Sequence, residues 1–83
     1  MAAQTVAPGA REQVRWTLDF DLIERRLAEL GVEPDGLAAF AGIDESTVFR
    51  IKKRGQTPSI PTVMSLYERL GVMPHLLVVR AES

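Results

Sequence analysis

Leu37 to Gly55 reads LAAFAGIDESTVFRIKKRG, and its spacing decides the fold. Two short helices that cross closely around a tight turn need a small residue where their backbones approach. They also need a glycine where the turn demands positive φ, and apolar residues on the sides facing a common core. Ala38 stands four residues before Gly42, and Ile43, Val48 and Ile51 follow that glycine by one, six and nine. All of these needs are met, so the stretch predicts a helix, a turn at Gly42 and a second helix. Asp44 is expected to start the second helix by accepting hydrogen bonds from its free first-turn amides. Val48 and Ile51, three apart, point inward, which leaves Glu45, Ser46, Phe49 and Arg50 on the outer face.

Working outward, Phe20, Ile23, Leu27 and Leu30 share one helical face and Gly31 stands at the usual stop. That predicts a helix from about Asp19. Pro34 suits the first turn of the helix that carries Leu37, Ala38 and Ala41. Downstream, the helix after Asp44 ends at Arg54 or Gly55, and QTPS makes a turn. A further helix from about Ile60, with Pro61 tolerated in its first turn, offers Val63, Leu66 and Leu70 to the core before Gly71. At the flanks, Val14, Trp16, Leu18 and Phe20 alternate with polar Arg15, Thr17 and Asp19, a strand pattern. Leu76, Leu77, Val78 and Val79 read as a second strand, with a short helix over 74–78 as the alternative. Met1 to Ala10, broken by Pro8 and Gly9, reads as a flexible arm. Residues 11–83 then make one mainly α domain of four to five short helices around a central helix-turn-helix, with short terminal β-strands over 12–18 and 76–80.

With 83 residues the chain buries only a modest core, and no cysteine is present to staple it or bind metal through thiolate. The longest apolar runs, such as LLVV at 76–79, are far shorter than a membrane span, and the first ten residues lack a basic start followed by an apolar run. A soluble cytoplasmic protein without a membrane partner is expected. His75 is the sole histidine and has no neighbour at ligand spacing, so no metal site is expected. The sequence offers no nucleophile–base pair, no glycine-rich phosphate loop and no acidic pair that must lie in a cleft, and neither catalysis nor a cofactor is expected. Net charge is −1, but residues 44–59 hold Arg50, Lys52, Lys53 and Arg54 against Asp44 and Glu45, a local +2 that leaves −3 on the remainder. Positive charge is therefore focused on one short segment.

With these residues in view, the chain resembles the Cro-like phage-repressor family, also called the xenobiotic-response-element family of helix-turn-helix regulators. The likeness runs from Phe20 to Val72. It rests on Gly31-Val32, Leu37-Ala38, Gly42-Ile43, Ser46-Thr47-Val48, Arg50-Ile51, Pro58-Ser59 and Leu70-Gly71-Val72. Departures exist. Pro34 stands where the family commonly has a phosphate-holding glutamine, Lys52 replaces a usual glutamate, and Gly55 comes one place late. Phe40 and Phe49 fill positions that are usually polar.

The resemblance implies a lambda-repressor-like DNA-binding domain whose helix after Asp44 lies in the major groove. Glu45, Ser46, Phe49 and Arg50 then hold the base-reading positions, with Arg50 suited to guanine, Glu45 to a cytosine amino group and Phe49 to a thymine methyl. Thr47, Lys52, Lys53, Arg54, Gln56, Thr57 and Ser59 are suited to phosphates. The implied function is sequence-specific transcriptional regulation, with repression as the expected sign, by a homodimer on a pseudo-palindromic operator in double-stranded DNA. A Cro-like phage regulator and an antitoxin with a toxin partner both fit. Outside the resemblance, the run of Val14, Trp16 and Leu18 and the run of Leu76, Leu77, Val78 and Val79 are expected to pair with each other or across a two-fold axis in a small antiparallel sheet that makes the dimer, because neither terminal strand is stable alone in water.

Blander readings stand beside these. A run such as RIKKR is commonly a solvated helix end, and Arg50 has Asp44 and Glu45 nearby as surface partners. Phe49 fits a partly buried or dimer contact as well as a base contact, and Phe40 an edge of the core. The competing function is a protein-interaction adaptor that keeps the helix-turn-helix scaffold, favoured by Phe40, Phe49 and the acidic total.

Overall fold

Residues 15–81 are described by a computed structural model. Trp16–Leu18 forms strand β1, followed by helix α1 (Phe20–Glu29) and a 3₁₀ turn (Pro34–Gly36) that leads into α2 (Leu37–Ala41). Helix α3 (Glu45–Arg54), α4 (Ile60–Leu70) and α5 (Pro74–Leu77) come next, and strand β2 (Val78–Arg80) is the last element among the described residues. The fold is mainly helical with one two-stranded antiparallel sheet, in which Trp16 faces Arg80, Thr17 faces Val79 and Leu18 faces Val78.

Asp19 starts α1 as expected of an N-cap, its Oδ1 accepting from the Leu22 amide at 3.2 Å. The helix ends in a Schellman arrangement: Val32 N–H donates to Leu27 O at 2.8 Å and Gly31 N–H to Ala28 O at 3.1 Å. This corrects one reading of the helical face. Leu30, expected in the core, is 40% exposed: it stands at the helix's end, and Val32, just past the closing turn, packs against the core instead. The same bonding closes α2, where Ile43 N–H donates to Ala38 O at 2.9 Å and Gly42 takes a left-handed φ of 73°.

One apolar cluster joins every helix. Ile23, Leu27, Ile51, Leu66, Leu70 and Leu77 are fully buried, with Leu18, Leu37 and Ala41 completing the centre. Burying each large aliphatic side chain contributes about 1.5–3 kcal/mol. Phe40 and Val48 pack at the edge, half-buried, in agreement with their expected positions. Among the described residues Thr62 is the buried polar one, and Ser59 satisfies it by donating to Thr62 Oγ1 at 3.1 Å.

Three expectations are corrected. The second strand begins at Val78 and not at Leu76, because Pro74 opens a short helix that takes in Leu76 and Leu77 before the β-branched pair extends. Leu18 and Leu77, assigned to a dimer surface, lie in this chain's own core at 4% and 0% exposure. Asp44 makes no side-chain cap; its extended backbone aims its carbonyl at the Thr47 and Val48 amides, 3.1 and 3.2 Å away. Val14 and the arm over 1–10 lie outside the described residues.

Candidate nucleic-acid interface

Helix α3 is held by its inner side. Ile51 is buried, Thr47 and Val48 are half-buried, and Glu45, Ser46, Phe49, Arg50, Lys53 and Arg54 are exposed. Positions four apart align on a helix, so Glu45, Phe49 and Lys53 form one outward row and Ser46, Arg50 and Arg54 its neighbour. The four expected reading residues share this face.

Several contacts fix the helix to the body. Its last turn is tied to the start of the sheet by Arg15, whose Nη2 donates to Gly55 O at 3.0 Å. Its flank is tied to α1 by Lys52, whose Nζ lies 3.0 Å from Glu24 Oε2 and 5.5 Å from the centre of the Phe20 ring. At its carboxyl end the positive side chains of Lys52, Lys53 and Arg54 oppose the negative end of the helix dipole.

The outward cations are arranged differently from one another. Arg54 lies over the Phe49 ring at 5.7 Å, a cation–π placement that keeps both side chains along the helix surface. Arg50 donates from Nε to Gln56 Oε1 at 3.0 Å and from Nη2 to Thr47 Oγ1 at 3.4 Å. The ion pairs among the described residues are Arg26–Glu29 and Lys52–Glu24. Arg50 therefore pairs with neither Asp44 nor Glu45, and Lys53 and Arg54 also keep their charge free of carboxylates among the described residues.

Of the seven residues expected at phosphates, Lys53, Arg54 and Thr57 are exposed on or beside the outer face. Lys52 is turned toward α1, Thr47 and Gln56 hold Arg50, and Ser59 caps α4 by accepting from the Thr62 amide at 3.3 Å. One neighbour of this face is missing from the sequence reading. Arg15 reaches Gly55 across 40 residues of chain, and its place in an alternating strand pattern carried no signal of that contact.

Beside the outer face, Pro34, Asp35 and Leu37 form an open cleft of about 410 Å³ with Glu45, Phe49 and Lys52. No cluster of three metal-ligating side chains occurs among the described residues, and no helix there is long and apolar enough to cross a membrane. No family model, curated protein or solved structure matches this chain. What the geometry offers chemically is a helix anchored on its inner side that presents hydrogen-bond donors and positive charge without a carboxylate partner among the described residues.

Proposed function

We propose that this chain is a sequence-specific DNA-binding transcriptional regulator, a repressor that acts in the cytoplasm as a homodimer on a pseudo-palindromic operator. The observation that carries the reading is Arg50, Lys53 and Arg54 standing free of carboxylate partners among the described residues, on the outer face of a helix whose inner face is anchored by buried Ile51. A helix about 10–12 Å across fits the roughly 12 Å major groove of B-DNA. Arg50 reads guanine there, Glu45, Ser46 and Phe49 meet neighbouring base edges, and Lys53, Arg54 and Thr57 hold phosphates.

A reader this small covers few base pairs, so two copies spaced by about 34 Å supply the specificity. With Leu18 and Leu77 committed to the core, the surface left for pairing is Trp16, Leu76 and Val79, each more than a third exposed, with Val78 at their edge. Both a phage regulator and an antitoxin with a toxin partner remain compatible with this site. The chemistry proposed is binding alone, without catalysis or cofactor.

The test is selection of bound sequences from random duplex DNA followed by gel shifts across a salt series. A recovered motif with half-sites one turn apart, bound more weakly as salt rises, is the expected result. Recovery of no motif and salt-insensitive binding would remove the proposal. A second reading has one observation in its favour: Phe49 is half exposed at the mouth of the cleft that also holds Asp35 and Glu45. An apolar ring beside two carboxylates suits a protein partner, and this adaptor reading predicts that the selection recovers nothing.

A further inference from the structure

We infer that Gln56 is a positioning residue that sets which edge of Arg50 reads the base; this rests on the proposed DNA-binding role of α3. An arginine carries five N–H donors in a planar fork, and only part of that fork is committed here. Nε and Nη2 share one side of the guanidinium, and these are the atoms that donate to Gln56 Oε1 at 3.0 Å and Thr47 Oγ1 at 3.4 Å. The side edge is occupied. The end of the fork, one N–H from Nη1 and the second from Nη2, makes no hydrogen bond among the described residues. That pair matches the O6 and N7 acceptors of guanine in the major groove.

Gln56 is able to hold Arg50 because the backbone folds back at that point. Gly55 has a left-handed φ of 70°, and the Arg50 carbonyl accepts from both the Gly55 amide and the Gln56 amide, the latter at 3.1 Å. Backbone and side chain of Gln56 thus grip the same residue six positions earlier. A long, rotamer-rich side chain that is already fixed loses less freedom on binding, so the grip favours one contact geometry. It also restricts the alternatives, since a side-on approach to a base must first break the bond to Gln56. In this arrangement Gln56 touches neither base nor phosphate and acts through Arg50.

The test uses the duplex motif selected by the wild-type chain and single-base-pair variants of it, with Arg50→Ala, Gln56→Met and the double variant. Methionine keeps the side-chain length and the backbone amide while removing the acceptor. Gln56→Met should lower affinity for the selected site by about three- to tenfold with little change on random duplex. It should flatten preference at the same base pair that Arg50→Ala flattens, and add nothing in the Arg50→Ala background. In the free protein, exchange of the Arg50 Nε–H with water, followed by nitrogen-15 NMR, should be slow in wild type and faster in Gln56→Met. An unchanged melting temperature would assign these effects to the contact and not to the fold. Equal weakening on selected and random DNA that persists in the Arg50→Ala background would make Gln56 a phosphate contact and overturn the inference; so would an unaltered base preference in Gln56→Met. Failure of wild type to select any sequence would instead remove the DNA-binding reading and this inference with it.

Discussion

Lys52 Nζ lies 3.0 Å from Glu24 Oε2, joining the flank of α3 to α1, whereas its neighbour Lys53 has no carboxylate partner among the described residues. One step along a helix turns a side chain by about 100°, enough to separate two lysines that look equivalent in sequence. Lys53→Ala should weaken binding to all duplexes alike and shallow the slope of log affinity against log salt by about one unit. Lys52→Ala should change that slope less and instead lower stability by about 0.2–1 kcal/mol, the range of a partly exposed pair. Gel shifts over a salt series, with thermal melts of both variants, measure the difference. Equal slopes for the two would show that Lys52 leaves Glu24 for DNA.

Arg50 has neither Asp44 nor Glu45 as a salt-bridge partner, and its guanidinium is oriented by the neutral acceptors Gln56 Oε1 and Thr47 Oγ1. Arg50→Ala should cost about 1–3 kcal/mol on the selected site and relax preference at one base pair. Binding to random duplex should fall far less. A uniform loss on both would class Arg50 with the phosphate contacts.

The turn between α2 and α3 depends on Gly42 for a reason of backbone and not of space. A Cβ added there would meet nothing within 4 Å, yet the φ of 73° is one that β-branched residues avoid. Gly42→Val should therefore lower the melting temperature with or without DNA, at a cost of at least about 1–2 kcal/mol. Gly42→Asn, whose side chain tolerates this conformation, should cost less. Ala38 poses the opposite constraint, being 95% buried between helices, with an exposure of 5%. Ala38→Leu should cost about 1–3 kcal/mol by overpacking. Melting indistinguishable from wild type in Gly42→Val would contradict the strained turn.

Where a residue type has a single physical use, the sequence was legible. Gly42 marked a left-handed turn, Pro61 a first helical turn, and the four-residue spacing of Ile23 and Leu27 or Leu66 and Leu70 a buried stripe, and all stand as expected. Residues with several uses were not. Asp44 and Ser59 are both good N-cap types, and only Ser59 caps with its side chain. Leu30 fitted the apolar stripe of α1, but it is the helix's C-cap, and the Schellman closure at Gly31 seats Val32 against the core instead. The outer face of α3 followed from periodicity alone. Which of its neighbours would be diverted to Glu24, Arg50 or Thr62 did not, because those pairings join positions brought together by the fold or by a turn whose path the pattern leaves open.

The last prediction concerns the carboxyl-terminal segment, where adjacent leucines have opposite environments. Leu76 is 48% exposed, while Leu77 is inaccessible and part of the central cluster. The Leu77 carbonyl also accepts from the Asp19 amide at 2.8 Å, and β2, starting at the next residue, pairs with β1. Removing residues 76–83 would thus strip a core side chain, an anchor of the α1 N-terminus and one of the two strands together. Such a truncation should unfold the chain, not yield a helical monomer. Separating dimer formation from folding requires single changes. Leu77→Ala should cost about 2–5 kcal/mol as a buried leucine, a loss that a small domain barely survives. Trp16→Ala and Leu76→Ala, by contrast, remove apolar area that is already partly in water and should melt close to wild type. If these exposed side chains make the proposed dimer, both variants should sediment as monomers and bind the full operator much more weakly while retaining the helical circular dichroism of wild type. Folded variants that sediment as dimers would place the two-fold contact elsewhere on the surface, and a wild-type chain that is monomeric at every concentration would remove the dimer from the proposal.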